Sequence, residues 1–238
     1  MTVVESAQRF GAAARTRRVW RWVAAAVVLA LVALGVWVVW FSSLLTVKEV
    51  RVLGTTAVSA DQVRQAADVP ARIPLARVDA DGIAARVGAI PRVASVEVRR
   101  GWPDVLVVVV TERTPLVVVA DGSQLAYLDA TGAKFGEVSR QPATMPLVSA
   151  ATDAARASSL AVVAALPDDL RRTVDEVRAR TIDDVVLVLR DGSKVQWGNA
   201  DRSDRKAAVL RSLLTLGAAR YDVSAPDLPT TSGRLETP

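Results

Sequence analysis

The sequence predicts an α+β protein in three parts: an N-terminal single transmembrane helix, a small domain of order β-α-α-β-β, and a mostly antiparallel β domain with two helices. Three observations predict it. Residues 22–47 run for 26 positions without a charge. Beyond them, the apolar pattern switches between a period of two and helical spacing. Asp-Gly, Gly and Pro turn signals then cut the second half into short strands.

The uncharged run comes first. Its densest part, residues 23–41, holds 19 residues, about 28 Å of helix, close to the hydrocarbon thickness of a bilayer. Trp20 and Trp22 flank one end, Trp37 and Trp40 the other. Tryptophan rings favour the headgroup boundary, so the two pairs read as interfacial anchors. Arg9, Arg15, Arg17, Arg18 and Arg21 precede the run against only Glu5, and the first charges after it are Lys48 and Glu49. The positive-inside rule makes residues 1–21 a cytoplasmic tail and residues 22–45 a transmembrane helix, with Arg15, Arg17, Arg18 and Arg21 as the topogenic charges. A cleaved signal peptide has a shorter apolar stretch and a small-residue cleavage site, and this run ends in Trp-Phe-Ser-Ser-Leu-Leu.

Outside the anchor the charge nearly cancels. The chain carries +5 in all, and residues 1–41 account for +4 of it. That balance gives no polyanion-binding surface and argues against nucleic acid as a partner. The basic tail suits anionic headgroups of the cytoplasmic membrane. With no cysteine the exterior has no disulfide framework, and with no histidine either, thiol nucleophiles, Ser-His-Asp triads and ordinary zinc sites are excluded.

The small domain spans residues 46–114. VKEVRVL at 47–53 alternates and reads as a strand closed by Gly54. Ser59, with Gln62 three positions later, opens a helix near 60–67. Asp79 caps a second near 80–88, with Ile83, Ala84 and Val87 as its apolar stripe. VASVEVRR at 93–100 is a strand, GWPD at 101–104 a turn, and VLVVVVTER at 105–113 a long strand, apolar on both faces by parity and so expected at the sheet centre, with Val107 and Val109 buried.

The β domain spans residues 115–225. Strands are predicted at 116–120, 124–129 and 133–138, and a loop with Pro142 and Pro146 follows. An Ala-rich helix at 153–166 is capped by Asp153 and stopped by Pro167. Strands at 173–180 and 185–190 lead through Asp191-Gly192 into KVQWG at 194–198. A helix at 202–216, capped by Asp201 or Ser203, carries Ala207, Leu210, Leu213 and Leu214 at helical spacing. RYDV at 220–223 is a final short strand, and residues 226–238, with Pro226 and Pro229, form a tail expected to be disordered.

Three stretches then carry a resemblance. LTVKEVRVLGTTAVSADQVRQAADV directly after the anchor looks like the opening of a POTRA domain; RRGWPDVLVVVVTERTPLVVV resembles its close; WGNADRSDRKAAVLRSLLTL with YDVSAPDLP resembles a helix and strand of the FtsQ type. Together they are similar to the bacterial cell-division FtsQ/DivIB family. The resemblance implies a POTRA domain at 46–114, an FtsQ-type β domain at 115–225, no cofactor and no small-molecule substrate. It also implies a non-enzymatic scaffold at the division septum that binds FtsL-type and FtsB/DivIC-type single-pass proteins.

Catalytic patterns are thin. Ser203 and Lys206 match S-x-x-K, but the partner motifs S-D-N and K-T-G are missing and Ser203 sits where a helix cap is wanted. Asp79 and Asp81 beside Gly82 lack the remaining ligands of a calcium loop. A membrane-anchored cell-wall enzyme or wall-binding protein is the alternative function; a POTRA-bearing outer-membrane assembly factor lacks its transmembrane strands.

The partner site is expected at Arg220, Tyr221, Asp222 and Val223, a short strand near the chain end that suits a sheet edge open to β-augmentation. Tyr221 and Val223 would share one face and Asp222 the other. They project to a partner or pack on the 202–216 helix; the resemblance favours the partner. On that expectation Tyr221→Ala with Val223→Asp abolishes binding and truncation after Pro229 spares it. The helix surface around Lys206 is the next candidate.

Overall fold

The computed structural model of the protein describes residues 9–41 and 45–234; residues 1–8, 42–44 and 235–238, of the expected cytoplasmic tail, transmembrane helix and C-terminal tail, lie outside the described residues, as do the side chains of Arg15, Arg17 and Arg18. The chain divides into two compact units between Thr111 and Glu112.

α1 (Arg9–Phe41) is one uninterrupted helix of 33 residues. It starts well before residue 22, because Ala and Arg, which fill the segment expected as tail, are among the best helix formers. Its stretch Trp20–Trp40 is long and apolar enough to cross a membrane. Trp20, Trp22, Trp37 and Trp40 are all exposed.

In the first domain β1 (Glu49–Leu53) is followed by α2 (Ala60–Ala67), a 3₁₀ turn (Leu75–Arg77), α3 (Ala80–Gly88), β2 (Val93–Gly101) and β3 (Val105–Glu112). The capping residues sit where the sequence places them: the Ser59 hydroxyl accepts from the Gln62 N–H at 3.1 Å and the Asp79 carboxylate from the Gly82 N–H at 3.0 Å. Arginines finish the other ends. Arg86 on α3 donates to Ala67 O at the end of α2, and Arg100 on β2 donates to Leu75 O and Val78 O of the 3₁₀ turn.

The sheet order is β1-β3-β2, with β1 parallel to β3, so the apolar β3 is central. Only one of its faces is buried. Leu106, Val108 and Val110 pack with Val63, Leu75, Ile83 and Val87 under the helices. Val105, Val107 and Val109 look out from the opposite face and are only half-buried. The expectation that Val107 and Val109 are core residues is therefore corrected: three strands with helices on one side leave the other side to water, and a second apolar face does not imply a second layer.

In the second domain, β4 (Val117–Asp121), β5 (Gln124–Leu128) and β6 (Lys134–Val138) form a meander. β7 (Leu147–Ala150), α4 (Asp153–Ala165), α5 (Asp168–Thr173), β8 (Val174–Thr181), β9 (Asp184–Leu189), β10 (Lys194–Gly198), α6 (Ser203–Leu214), β11 (Ala218–Asp222) and β12 (Thr230–Arg234) complete it. All nine strands join one sheet in the order β12-β11-β10-β9-β8-β7-β4-β5-β6. The core, from Val117 through Leu160, Val163 and Leu187 to Trp197, Leu210 and Tyr221, lies on the face covered by α4 and α6.

Three elements differ from expectation. β7 is a strand where a loop is expected, and it pairs in parallel with both β4 and β8. α5 is a one-and-a-half-turn helix started by Pro167, with Asp168 and Asp169 in its first turn. The C-terminal tail is not free: residues 230–234 pair antiparallel with β11. Two caps also move. Thr152, not Asp153, caps α4, accepting from the Ala155 N–H at 3.1 Å. α6 begins after Arg202, which is left-handed at φ 53° and gives no side-chain cap.

Candidate functional site

The partner-binding residues expected from the sequence lie at the β10–β11–β12 end of the large sheet. The parity is as read, but the faces are reversed. Tyr221 is 2 % exposed and Val223 fully buried, both in the core with Trp197 and Leu210. The Tyr221 hydroxyl accepts from the Ala218 N–H at 2.9 Å, so even its polar tip is committed inside the domain. Neither side chain presents a surface to a partner. Lys206 is also buried, at 1 % exposure. Its ammonium donates to Asn199 O at 2.9 Å and Asn199 Oδ1 at 3.3 Å, clasping the β10–α6 loop. Desolvation pushes its pKa below the ordinary lysine value. The helix surface around Lys206 is thus not what the sequence suggests.

Ser203 is equally committed. Its hydroxyl donates to Ala200 O at 2.7 Å and accepts from the Trp197 indole N–H at 3.3 Å. Serine and lysine of the S-x-x-K match therefore spend their hydrogen bonds on β10 and on the loop before α6, not on each other.

What the end of the sheet presents instead is its open face and its edge. Along the open face, Val188, Lys194, Arg220 and Ser232 are register neighbours on successive strands, and so are Val186, Gln196, Asp222 and Thr230. These residues, with Arg178, Arg180 and Asp184, line a concavity of about 790 Å³. Most of its charges are already answered. Asp184 accepts from Gln196 and Arg180, which hold its carboxyl below the usual range. Glu176 is held down by Arg178 at 2.6 Å. Asp222 accepts from the Ser224 N–H and hydroxyl.

Two charges are not answered. Lys194 and Arg220 stand directly opposite each other on β10 and β11, both exposed, and among the described residues neither has an ion-pair partner. Like charges in register oppose pairing, so a carboxylate arriving between them relieves a repulsion as well as forming new bonds.

The edge is β12 rather than β11. β11 is covered on both sides, by β10 and by β12. All five β12 residues are exposed. The loop that delivers it is held down: Asp227 accepts from Arg202 at 2.8 Å and from Arg205 at 2.5 Å, and Pro226 is buried. Beside that anchored turn Leu228 stands 81 % exposed. Of this site the sequence marks Arg220 and Asp222. β12 and Leu228 have no signal in a polar, Pro-flanked tail, and Lys194 lies in a strand the sequence places without marking it as a contact.

The comparisons with known proteins fall on both domains. Residues 45–113 match the model of the POTRA domain, FtsQ-type, and residues 117–228 that of the cell division protein FtsQ/DivIB, C-terminal. The cell division protein FtsQ of Streptomyces bingchenggensis is 38 % identical over 218 residues, covering 85 % of this chain and 82 % of that one. That of Streptomyces coelicolor is 37 % identical over 227 residues, 87 % and 86 %. That of Mycolicibacterium smegmatis is 37 % identical over 222 residues, 91 % and 65 %.

Proposed function

Since this chain belongs to the FtsQ/DivIB family of bacterial cell-division proteins, we propose that it is a non-enzymatic scaffold of the division septum. α1 crosses the cytoplasmic membrane once, the arginine-rich end stays in the cytoplasm, and both domains stand outside. There it holds FtsL-type and FtsB/DivIC-type single-pass proteins.

One observation carries the reading: an exposed edge strand, β12, beside an unneutralised Lys194–Arg220 pair. An unpaired edge supplies main-chain N–H and C=O groups to an incoming strand whatever its sequence. The two cations then select a strand with an acidic residue at the matching position, and Leu228 offers an apolar contact beside the turn. Affinity from the backbone and selectivity from charge is what a scaffold needs, and no reacting group is required. The enzyme alternative has lost its one serine–lysine candidate to the loop before α6.

The test is co-purification of the full chain with an FtsB/DivIC-type partner. Truncation after Pro229 removes β12, and binding is expected to fall at least tenfold; the truncation thereby changes from the silent one expected by sequence to the decisive one. Lys194→Glu with Arg220→Glu is expected to weaken binding similarly, and an acid-to-base change in the partner to restore it. Unchanged binding by a folded truncated chain rejects the edge-strand reading. A reporter fused after Pro238 is expected outside the cytoplasmic membrane; a cytoplasmic signal rejects the topology.

A further inference from the structure

We propose that one end of the POTRA domain, carrying Trp102, Pro103 and Arg72, is a lipid-contact surface that rests in the headgroup layer. The proposal rests on the reading of α1 as membrane-spanning.

Chain length comes first. Five Cα steps separate Phe41, the last residue of α1, from Thr46, so the two are at most about 18 Å apart when fully extended. The headgroup layer beyond the hydrocarbon is itself roughly 5–7 Å deep on each side. Thr46 therefore cannot stand far from the lipid surface.

Hydrogen bonds then fix what lies beside it. Thr46 forms a bridge with Pro74, and the Val47 N–H donates to Ile73 O at 2.9 Å. The Lys48 N–H donates to Asp104 O at 2.9 Å, and the Lys48 ammonium lies 3.0 Å from the Asp104 carboxylate. Because β1 runs parallel to β3, with Glu49 opposite Val105, the turn between β2 and β3 lies at the end of the sheet where the chain arrives from α1. The 70–74 loop and the 101–104 turn are thus brought to the same end. Arg100, on β2 just before the turn, donates to Leu75 O and Val78 O, in and just after the 3₁₀ turn that follows the loop.

At the tip of that turn Trp102 is 54 % exposed, the most exposed tryptophan outside α1. A soluble domain has no reason to leave an indole in water at its membrane-proximal end; an interface that takes its ring at the acyl boundary and its N–H among headgroups does. Pro103 is exposed beside it. In the loop, Arg72 is exposed, held left-handed at φ 62°, and without an ion-pair partner among the described residues. Asp104 is already paired to Lys48. A free guanidinium next to an exposed indole matches a phosphate above an acyl boundary. With α1 as a second attachment, this contact would fix the height and tilt of the domain over the membrane.

The chain has no cysteine, so a single nitroxide can be placed anywhere in the full-length protein. Three sites suffice, in nanodiscs of phosphatidylethanolamine and phosphatidylglycerol: Ala71→Cys beside Arg72, Ala94→Cys at the far end of β2, and Leu31→Cys inside α1. Accessibility to a water-soluble nickel chelate is the readout. The label at 71 is expected to be less than half as accessible as that at 94, and Trp102→Ala with Arg72→Ala to raise it to the level at 94. Independently, the full chain in brominated lipid is expected to lose more tryptophan emission than the Trp102→Phe variant. Equal accessibility at 71 and 94 with 31 shielded overturns the proposal and leaves the anchor standing. Exposure at 31 overturns the anchor and the proposal together. Shielding at 71 that appears only on adding a protein partner, or that survives the double substitution, also overturns it.

Discussion

Single residues decide which faces of this protein are closed. Leu106, Val108 and Val110 are buried while Val105, Val107 and Val109 on the same strand are not, so substitutions one residue apart have different effects. Val108→Asp is expected to unfold the first domain, since an unpaired buried carboxylate costs several kcal/mol; Val107→Asp is expected to lower its melting temperature far less. Circular dichroism melts of the pair check this. In the second domain, Asp129 is 6 % exposed and accepts from Arg113 at 2.7 Å, from the Thr131 hydroxyl at 2.6 Å and from the N–H groups of Thr131 and Ala133. Burial pushes its pKa up, but these bonds outweigh burial and hold the carboxyl below its ordinary value. A depressed folded-state pKa gives stability that is full above the unfolded value near 4 and is lost as pH falls through the folded one. Asp129→Asn is therefore expected to cost about 1–3 kcal/mol at pH 7, with the difference from the parent narrowing below roughly pH 4, as urea unfolding at several pH values will show.

Elements differ in how far local sequence specifies them. α2, α3 and β10 fall where caps, helical spacing and turn signals place them, because each is fixed by contacts within a few residues. β7 and α5 were not legible: four and six residues are too short for a period to show. β12 was hidden for another reason. Thr-Thr-Ser-Gly-Arg buries nothing, and the strand exists through main-chain pairing to β11, a long-range partner that no local pattern announces. Tyr221 shows the matching limit: alternation gives two faces but not which one meets the core, and an aromatic near the chain end reads equally as hot spot or as closure. Backbone geometry makes its own demand at Gly54, which follows β1 with φ 82° and where a Cβ would lie 2.2 Å from Val110 O. Gly54→Ala is expected to destabilise the first domain by roughly 1–3 kcal/mol, measured by thermal unfolding, whereas alanine at Gly88, whose Cβ meets nothing within 4 Å, is expected to be tolerated.

At the scale of the whole molecule, the sequence made the order of parts legible: an apolar helix, a POTRA domain and an FtsQ-type β domain, matching what the chain's family shows. It did not reveal that β12 forms the edge of a nine-stranded sheet among the described residues, which moves the proposed contact from Tyr221 and Val223 to β12, Lys194, Arg220 and Leu228. The scaffold reading thus comes down to whether β12 gains a neighbour when a partner binds. Amide hydrogen exchange of the full chain, with and without a saturating FtsB/DivIC-type partner, reads this directly. Protection of the β12 amides at 230–234, at least tenfold over the free protein, is the expected result. Saturation with β12 amides exchanging as fast as in the free protein, and protection appearing elsewhere, would contradict it.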